Sequence, residues 1–575
     1  MTRLLLSTLI FVYMQKRVIW ILIIVMVSIF TAKSQEKEKP YRKALEAVED
    51  KLKLGDFRGA VVDLDQITSQ YPEASDVYYA KGLLLGQMGD YEGAISSAKL
   101  AYDKDASLQN LNFLMDLYRA SQKWDDMVDI LKDFRGKNPT LTLISRELII
   151  TLAGLKRFDD ALQIYDEEVQ SGRRSDTLEV AKAEVLIHKQ ELDAAAALLK
   201  PLDGKSSLRQ VYSTLAFVYL HQEKSKQAVE VLERGLKITK DPVLHLDLAD
   251  AYSKEKKIRL AYDALKSAFD SDSVNFGDKH SVMLTIMDSG FKDFSLDQIQ
   301  NLANILVLRH PRIAESHVIK GNILWRRGNP QEARSLFMTA VGISSNHVDA
   351  WRMLINADIA LGSVEEAIRH GNEALSVNPG NPMLMYFTGL SYLMKEDYEN
   401  SRKILESALD HSGNENKFLQ SMIYGALGDL YHQLQMDAAS DVAYEESIAL
   451  DSTNVSVLNN YAYYLSLRKK DLDKAEAYSK LSNELEPNSA TFQDTYAWVL
   501  FQQARYEEAL VWIEKAVKGP QSSAVLYEHY GDILSMVGRG KDAMKQWEKA
   551  LAASKENSAD SERIRTKIKE KRYVE

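Results

Sequence analysis

The side chains best suited to chemistry are polar and aromatic groups in the C-terminal third of the chain. Asp494 stands one helical turn before Trp498, with Phe501 beyond it; Asn459, Asn460 and Tyr463 precede them, and Glu528 and Asp532 follow. Aromatic rings beside carboxylates and amides suit recognition of a peptide or a helix: the ring supplies buried area and the polar groups supply direction. Trp498 and Phe501 have a second reading, in which they pack against a neighbouring pair of helices. A more basic set, Asn322, Arg326, Arg352 and Asn356, lies upstream and reads equally well as single surface charges.

Covalent and metal chemistry finds no support in the sequence. With no cysteine there is no thiol nucleophile, disulfide or Cys-ligated metal. Phosphate-binding loops, dinucleotide fingerprints, zinc-protease helices and nucleophile elbows do not occur. The 11 histidines are scattered, and His310 and His317 are separated by Pro311. No catalytic residue, metal ligand or cofactor is expected, and the chain reads as a binder rather than an enzyme.

Composition narrows the partner. The chain has 575 residues, 72 Lys+Arg against 82 Asp+Glu, and a net charge of −10. Nucleic acid is an unsuitable partner, because phosphate contacts need clustered cations. Charged residues at 27% and apolar residues at 45% exclude a mostly disordered chain and a polytopic membrane protein. Eleven Pro and 27 Gly are few for this length and favour long helices over turn-rich sheet.

The elements that would carry these side chains come from one unit repeated. An apolar helical stripe, a short break, a second helix opening before a small residue and a polar turn recur about every 34 residues. Units start near 41, 75, 108, 142, 176, 209, 242, 280, 314, 348, 382, 421, 455, 490 and 524. Position 8 is Gly or Ala in ten units, among them Gly82, Ala216, Gly321, Gly389, Gly428, Ala497 and Gly531. Position 20 is Ala in eleven, from Ala60 and Ala94 to Ala509 and Ala543. Small residues at these places let two helices approach closely. Phe57, Tyr91, Trp124, Phe158, Tyr398 and Tyr506 at position 17 mark where second helices begin. Pro72, Pro139, Pro311, Pro379 and Pro487 mark where units close.

This pattern resembles the tetratricopeptide repeat (TPR) family over residues 41–553. The resemblance implies an all-α solenoid, a right-handed superhelix of antiparallel helix pairs with each first helix lining the concave side. In that family positions 2, 5, 9, 12 and 13 of the first helix face the groove. Arg352 and Asn356 match half of the family's carboxylate clamp, but Phe387 stands where the next unit needs Asn. The family's asparagine ladder at position 6 is represented by Asn460 alone. Neither mechanism carries over as a whole.

The expected organisation is an N-terminal array over 41–279, a degenerate repeat or bend over 280–313, a C-terminal array over 314–553, and a capping helix with a charged tail over 554–575. In the degenerate unit Met287 falls at position 8 and Ile299 at position 20. A seven-residue loop at 411–417 exceeds the period. Ile564 and Ile568 can seal the last pair, leaving a charged outer face. Residues 1–34 read as a signal peptide, within which Met14 offers an alternative start to Met1. Lys16 and Arg17 precede the apolar run Val18–Phe30, and Ala32-Lys33-Ser34 fits a cleavage site. The sequence therefore points to an exported scaffold in the periplasm or cell envelope, presenting a groove to a basic or extended segment of a partner protein. Two alternatives are an assembly factor tethered to the inner membrane by an uncleaved leader, and a binder of glycan or wall polymer. Membrane contact is expected only if the leader stays attached.

Overall fold

The computed structural model describes residues 39–290, 292–413, 416–519, 523–555 and 558–574; the signal peptide expected at 1–34 lies outside them. Among the described residues all regular structure is helical: 31 α-helices and one short 3-10 turn. The chain divides into two compact units, one ending at Arg309 and the other beginning at His310. The first holds eight helix pairs, from Arg42–Lys53 and Phe57–Gln70 to Phe276–Asp288 and Leu296–Arg309. The second holds seven pairs, from Ala314–Arg326 and Pro330–Ile343 to Ala524–Met536 and Gly540–Ala553, and a terminal helix Ala559–Glu570.

Close approach within each pair follows from the small residues. Every alanine at position 20, from Ala60 to Ala543, is fully buried. At position 8 glycine does more than lower bulk. A Cβ on Gly321 would lie 2.4 Å from the Phe337 ring, and one on Gly531 2.5 Å from the Trp547 indole. A large residue at position 24 of the second helix therefore seats against the bare backbone of the first. The turn between paired helices is equally regular. Position 15 adopts positive φ, as glycine at Gly328 (78°) and Gly538 (81°) and as other residues at Gln122 (55°) and Glu396 (65°). A left-handed residue is the usual end of a helix, and it reverses the chain within three residues. The aromatic residues at position 17 begin second helices and are half-buried there.

Two irregular places differ from their expected form. In the unit at 276–309 the first helix starts at Phe276, so Met283 rather than Met287 takes the fully buried place at position 8. Gly290 keeps the left-handed turn, and the surplus residues lie between Asp288 and Leu296, inside the pair. At 411–417 the surplus goes into helix rather than loop: Lys417–Gln433 has 17 residues where its neighbours have 13.

Candidate functional site

Helices Val455–Leu467, Ala490–Gln502 and Ala524–Met536 are the first helices of the last three pairs, and they border a cleft of about 610 Å³. Asn459, Asn460, Tyr463 and Asp494 line it, with Thr491, Thr495, Val525 and Leu526. Asn459 is 4% exposed; its Nδ2 donates to Asn460 Oδ1 at 3.2 Å, while its own Oδ1 is buried without a donor. Asn460 Nδ2 donates in turn to Asp429 Oδ1 at 3.1 Å. Asp494 Oδ1 meets His529 Nδ1 at 2.9 Å. Burial, with the Asp494 charge second, pushes the Tyr463 phenol up to about 12, so it stays a neutral donor at physiological pH. The cleft thus presents carboxylate and amide oxygens beside one aromatic ring, a surface suited to hydrogen-bond donors.

Trp498 and Phe501, placed by the sequence either in the groove or in the packing, are in the packing. Trp498 is 7% exposed and stacks on Phe501 at 4.7 Å and on His529 at 4.0 Å. Tyr573 lies edge-on to Phe501 at 5.3 Å, so the chain's own tail closes over these rings. The aromatic platform behind the glycan reading is therefore covered.

Glu528 and Asp532 also differ from the open carboxylates expected. Glu528 accepts from Arg563 at 2.7 and 2.8 Å and from Lys567 at 2.7 Å. Asp532 accepts from Lys567 at 2.6 Å and from Trp547 Nε1 at 2.8 Å. The Lys567 side chain is 3% exposed. Burial pushes the Asp532 carboxyl up to about 6 despite the Lys567 ammonium. Burial also works against ionised Glu528, but Arg563 and Lys567 outweigh it and hold that carboxyl below its ordinary range. The terminal helix is charged outside, as expected, and Ile564 is buried, yet one of its lysines sits in a desolvated pair of carboxylates.

The upstream set does not join this cleft. Asn322 and Arg326 lie on Ala314–Arg326, Arg352 and Asn356 on Val348–Ala360. Arg352 pairs with Asp349 at 3.3 Å and Arg326 is exposed, while Asn322 Oδ1 is buried without a partner. The first unit has its own cleft of about 650 Å³ near Arg135, Arg157 and Arg173. Its cations are already engaged: Arg135 and Arg173 hold the fully buried Glu168, and Arg157 holds Asp160. Sequence reasoning missed Asp429, His529, Arg563, Lys567 and Tyr573. Asp429 was within reach, since it occupies position 9 of its unit. Among the described residues no group of His, Asp and Glu is arranged to hold a metal, and no helix is long and apolar enough to cross a membrane.

Stacked helix pairs with a cleft between successive first helices define an all-α repeat protein. The comparisons name the class. Residues 45–108 and 352–416 match one tetratricopeptide-repeat profile, and 314–347 and 423–454 match a second. These stretches of the chain carry tetratricopeptide repeats. The chain is similar to TPR repeat-containing protein MJ1428 of Methanocaldococcus jannaschii, 21% identical over an alignment of 392 residues that covers 62% of this chain and 66% of that protein. It is also similar to protein O-mannosyl-transferase TMTC3 of Homo sapiens, 25% identical over 183 residues, 31% of this chain and 19% of that protein. The matched stretches span less than two thirds of either relative. Among solved structures it is similar to the APC/C hetero-tetramer Cut9–Hcn1, with a TM-score of 0.39 and 14% identity over 81% of this chain and 98% of that one. Yeast Tom70 gives a TM-score of 0.32 and 15% identity over 88% of this chain and 96% of that one.

Proposed function

We propose that the chain is a non-enzymatic scaffold that holds a segment of a partner protein against the first helices of its last repeats. The fold is one that generally binds proteins without chemistry. The observation that carries this reading is the cleft at Asn459, Asn460, Tyr463 and Asp494: it is lined by side chains of three successive units, its polar groups coming chiefly from the first two, and one of its buried acceptors lacks a donor. Stacked helices fix these side chains before a partner arrives, which reduces the entropy lost on binding. The oxygens lining the cleft favour a basic segment, or an extended one that offers backbone N–H groups.

The place of action is the periplasm or cell envelope. This rests on the ordered basic, apolar and small-residue regions of 16–34. Fractionation with N-terminal sequencing tests it: a soluble exported chain beginning at Gln35 is expected, whereas Lys16 and Arg17 retained in a membrane pellet would favour the tethered alternative. Binding is tested by a photo-crosslinking residue in place of Tyr463 in living cells, with Val442 as control. Val442 is 62% exposed on a second helix, Asp437–Leu450. Adducts from position 463 and none from 442 are expected; the reverse would overturn the reading.

A further inference from the structure

The repeat contains its own control experiment. Asp532 is position 9 of its unit; it accepts from a position-24 side chain, Trp547, and is neutralised by Lys567, 35 residues on. Asp429 is position 9 of an earlier unit and likewise accepts from a position-24 side chain, Tyr444, at 2.5 Å. The residue 35 places beyond Asp429 is Tyr464, and the residue in the register of Arg563 is Asn460. Where one repeat has two cations, the other has a phenol and an amide. No Lys or Arg forms an ion pair with Asp429 among the described residues.

The surroundings of Asp429 suit a cation from outside the chain. Both hydrogen bonds, from Tyr444 and Asn460, fall on Oδ1, and among the described residues no donor sits on Oδ2. Tyr386 and Tyr464 are near enough for the Asp429 charge to push their phenols up, behind the larger effect of burial. His432 stacks on Tyr464 at 3.7 Å. The nearby Arg468 is engaged by Asp441 and, at 3.5 Å, by Asp437. Burial raises the Asp429 carboxyl above its ordinary range, as expected of a desolvated carboxylate lacking a counter-ion. A second observation points the same way: Asn459 Oδ1, buried without a donor, belongs to the hydrogen-bond chain that runs through Asn460 to Asp429. Aromatic rings around an acceptor pair are a favourable seat for a guanidinium or an ammonium.

We propose that Asp429 and Asn459 form a subsite for one cationic side chain, arginine or lysine, of the bound segment, which does for Asp429 what Lys567 does for Asp532. This rests on the groove reading above and adds to it a specific residue class and place.

The test uses three fluorescein-labelled twelve-residue Gly/Ser peptides carrying three arginines, three lysines or three glutamines, read by fluorescence anisotropy at low salt on the full chain. The parent should bind a cationic peptide at least about tenfold more tightly than the glutamine peptide, and the arginine and lysine arms show which cation fits better. Asp429→Asn should remove that preference. Tyr464→Lys, which restores the internal cation, should remove it too while circular dichroism shows the fold intact. If both variants keep the parent's preference, the subsite is wrong. If Asp494→Asn alone abolishes it, the groove reading stands and Asp429 is not the seat. If the parent binds none of the peptides, the subsite is overturned, and the groove reading still answers separately to crosslinking at position 463.

Discussion

Replacing Lys567 by Met tests whether the terminal helix is held by charge in a desolvated place. The Lys567 side chain is 3% exposed and touches Glu528 and Asp532, whose side chains are 4% and 1% exposed. Arg563 would still neutralise Glu528, but Asp532 would keep only the Trp547 N–H. Removing one partner from a buried ion pair typically costs about 3–5 kcal/mol, because the remaining charge stays buried. The sign with pH follows from Asp532, whose carboxyl already sits at about 6, above its ordinary value. A raised carboxyl stabilises the fold in its protonated form, and that contribution is lost as pH rises through the folded value. Loss of the ammonium raises it further. The deficit of Lys567→Met should therefore be largest near pH 8 and shrink towards pH 5. Urea unfolding at the two pH values measures the deficit, and hydrogen exchange locates it. Protection should fall in Ala524–Met536, Gly540–Ala553 and Ala559–Glu570 and stay unchanged in the first unit, since each repeat contacts only its neighbours. A triple variant adding Glu528→Gln and Asp532→Asn should recover most of the loss. Parent-like stability at pH 8, or uniform loss along the chain, would refute the reasoning.

Other expectations follow from the same packing. Trp498→Ala removes an indole stacked on two rings and should cost about 3–5 kcal/mol, read as an early melting transition; a Trp498→Ala protein that melts like the parent would return Trp498 to the surface. Gly321→Ala places a Cβ 2.4 Å from Phe337 and should cost about 1–3 kcal/mol in urea unfolding, with exchange loss confined to neighbouring pairs. Glu168 is fully buried; burial opposes its charge, but Arg173, Ser145 and Arg135 lower its carboxyl from 4.5 to about 2. That depression stabilises the first unit by about 3 kcal/mol above the ordinary glutamate range, and the contribution is lost as pH falls towards 2. The gap in urea midpoint between parent and Glu168→Gln should accordingly close on acidification.

The fold was legible because its determinants are local and periodic. Ala60, Ala94, Ala509 and Ala543 recur at one register position, and burial follows that register. The phase failed where residues were added: nothing in the sequence distinguished surplus length inside the pair at 276–309 from surplus before it, so Met287 was placed where Met283 belongs. Asn459, Tyr463 and Asp494 could be assigned to one face because they stand at groove-facing positions 5 and 9 of their first helices, with Asn460 at position 6 beside them. Trp498, Phe501, Glu528 and Asp532 share such positions, but what covers them comes from His529 and from the chain's last residues. Lys567 stands in a run of Lys and Arg, where most such side chains are solvated. Its burial depends on carboxylates 35 and 39 residues away in sequence, which periodicity alone does not pair.

The central claim is that the first helices of the last repeats hold a partner segment on a surface already formed. Hydrogen exchange on the chain with and without its crosslink-identified partner tests it most directly. Added protection should appear in Val455–Leu467 and Ala490–Gln502, whose residues line the cleft, with little change in Leu472–Leu485 and Tyr506–Ala516 behind them. Protection confined to those second helices, with the cleft helices unchanged, would contradict it.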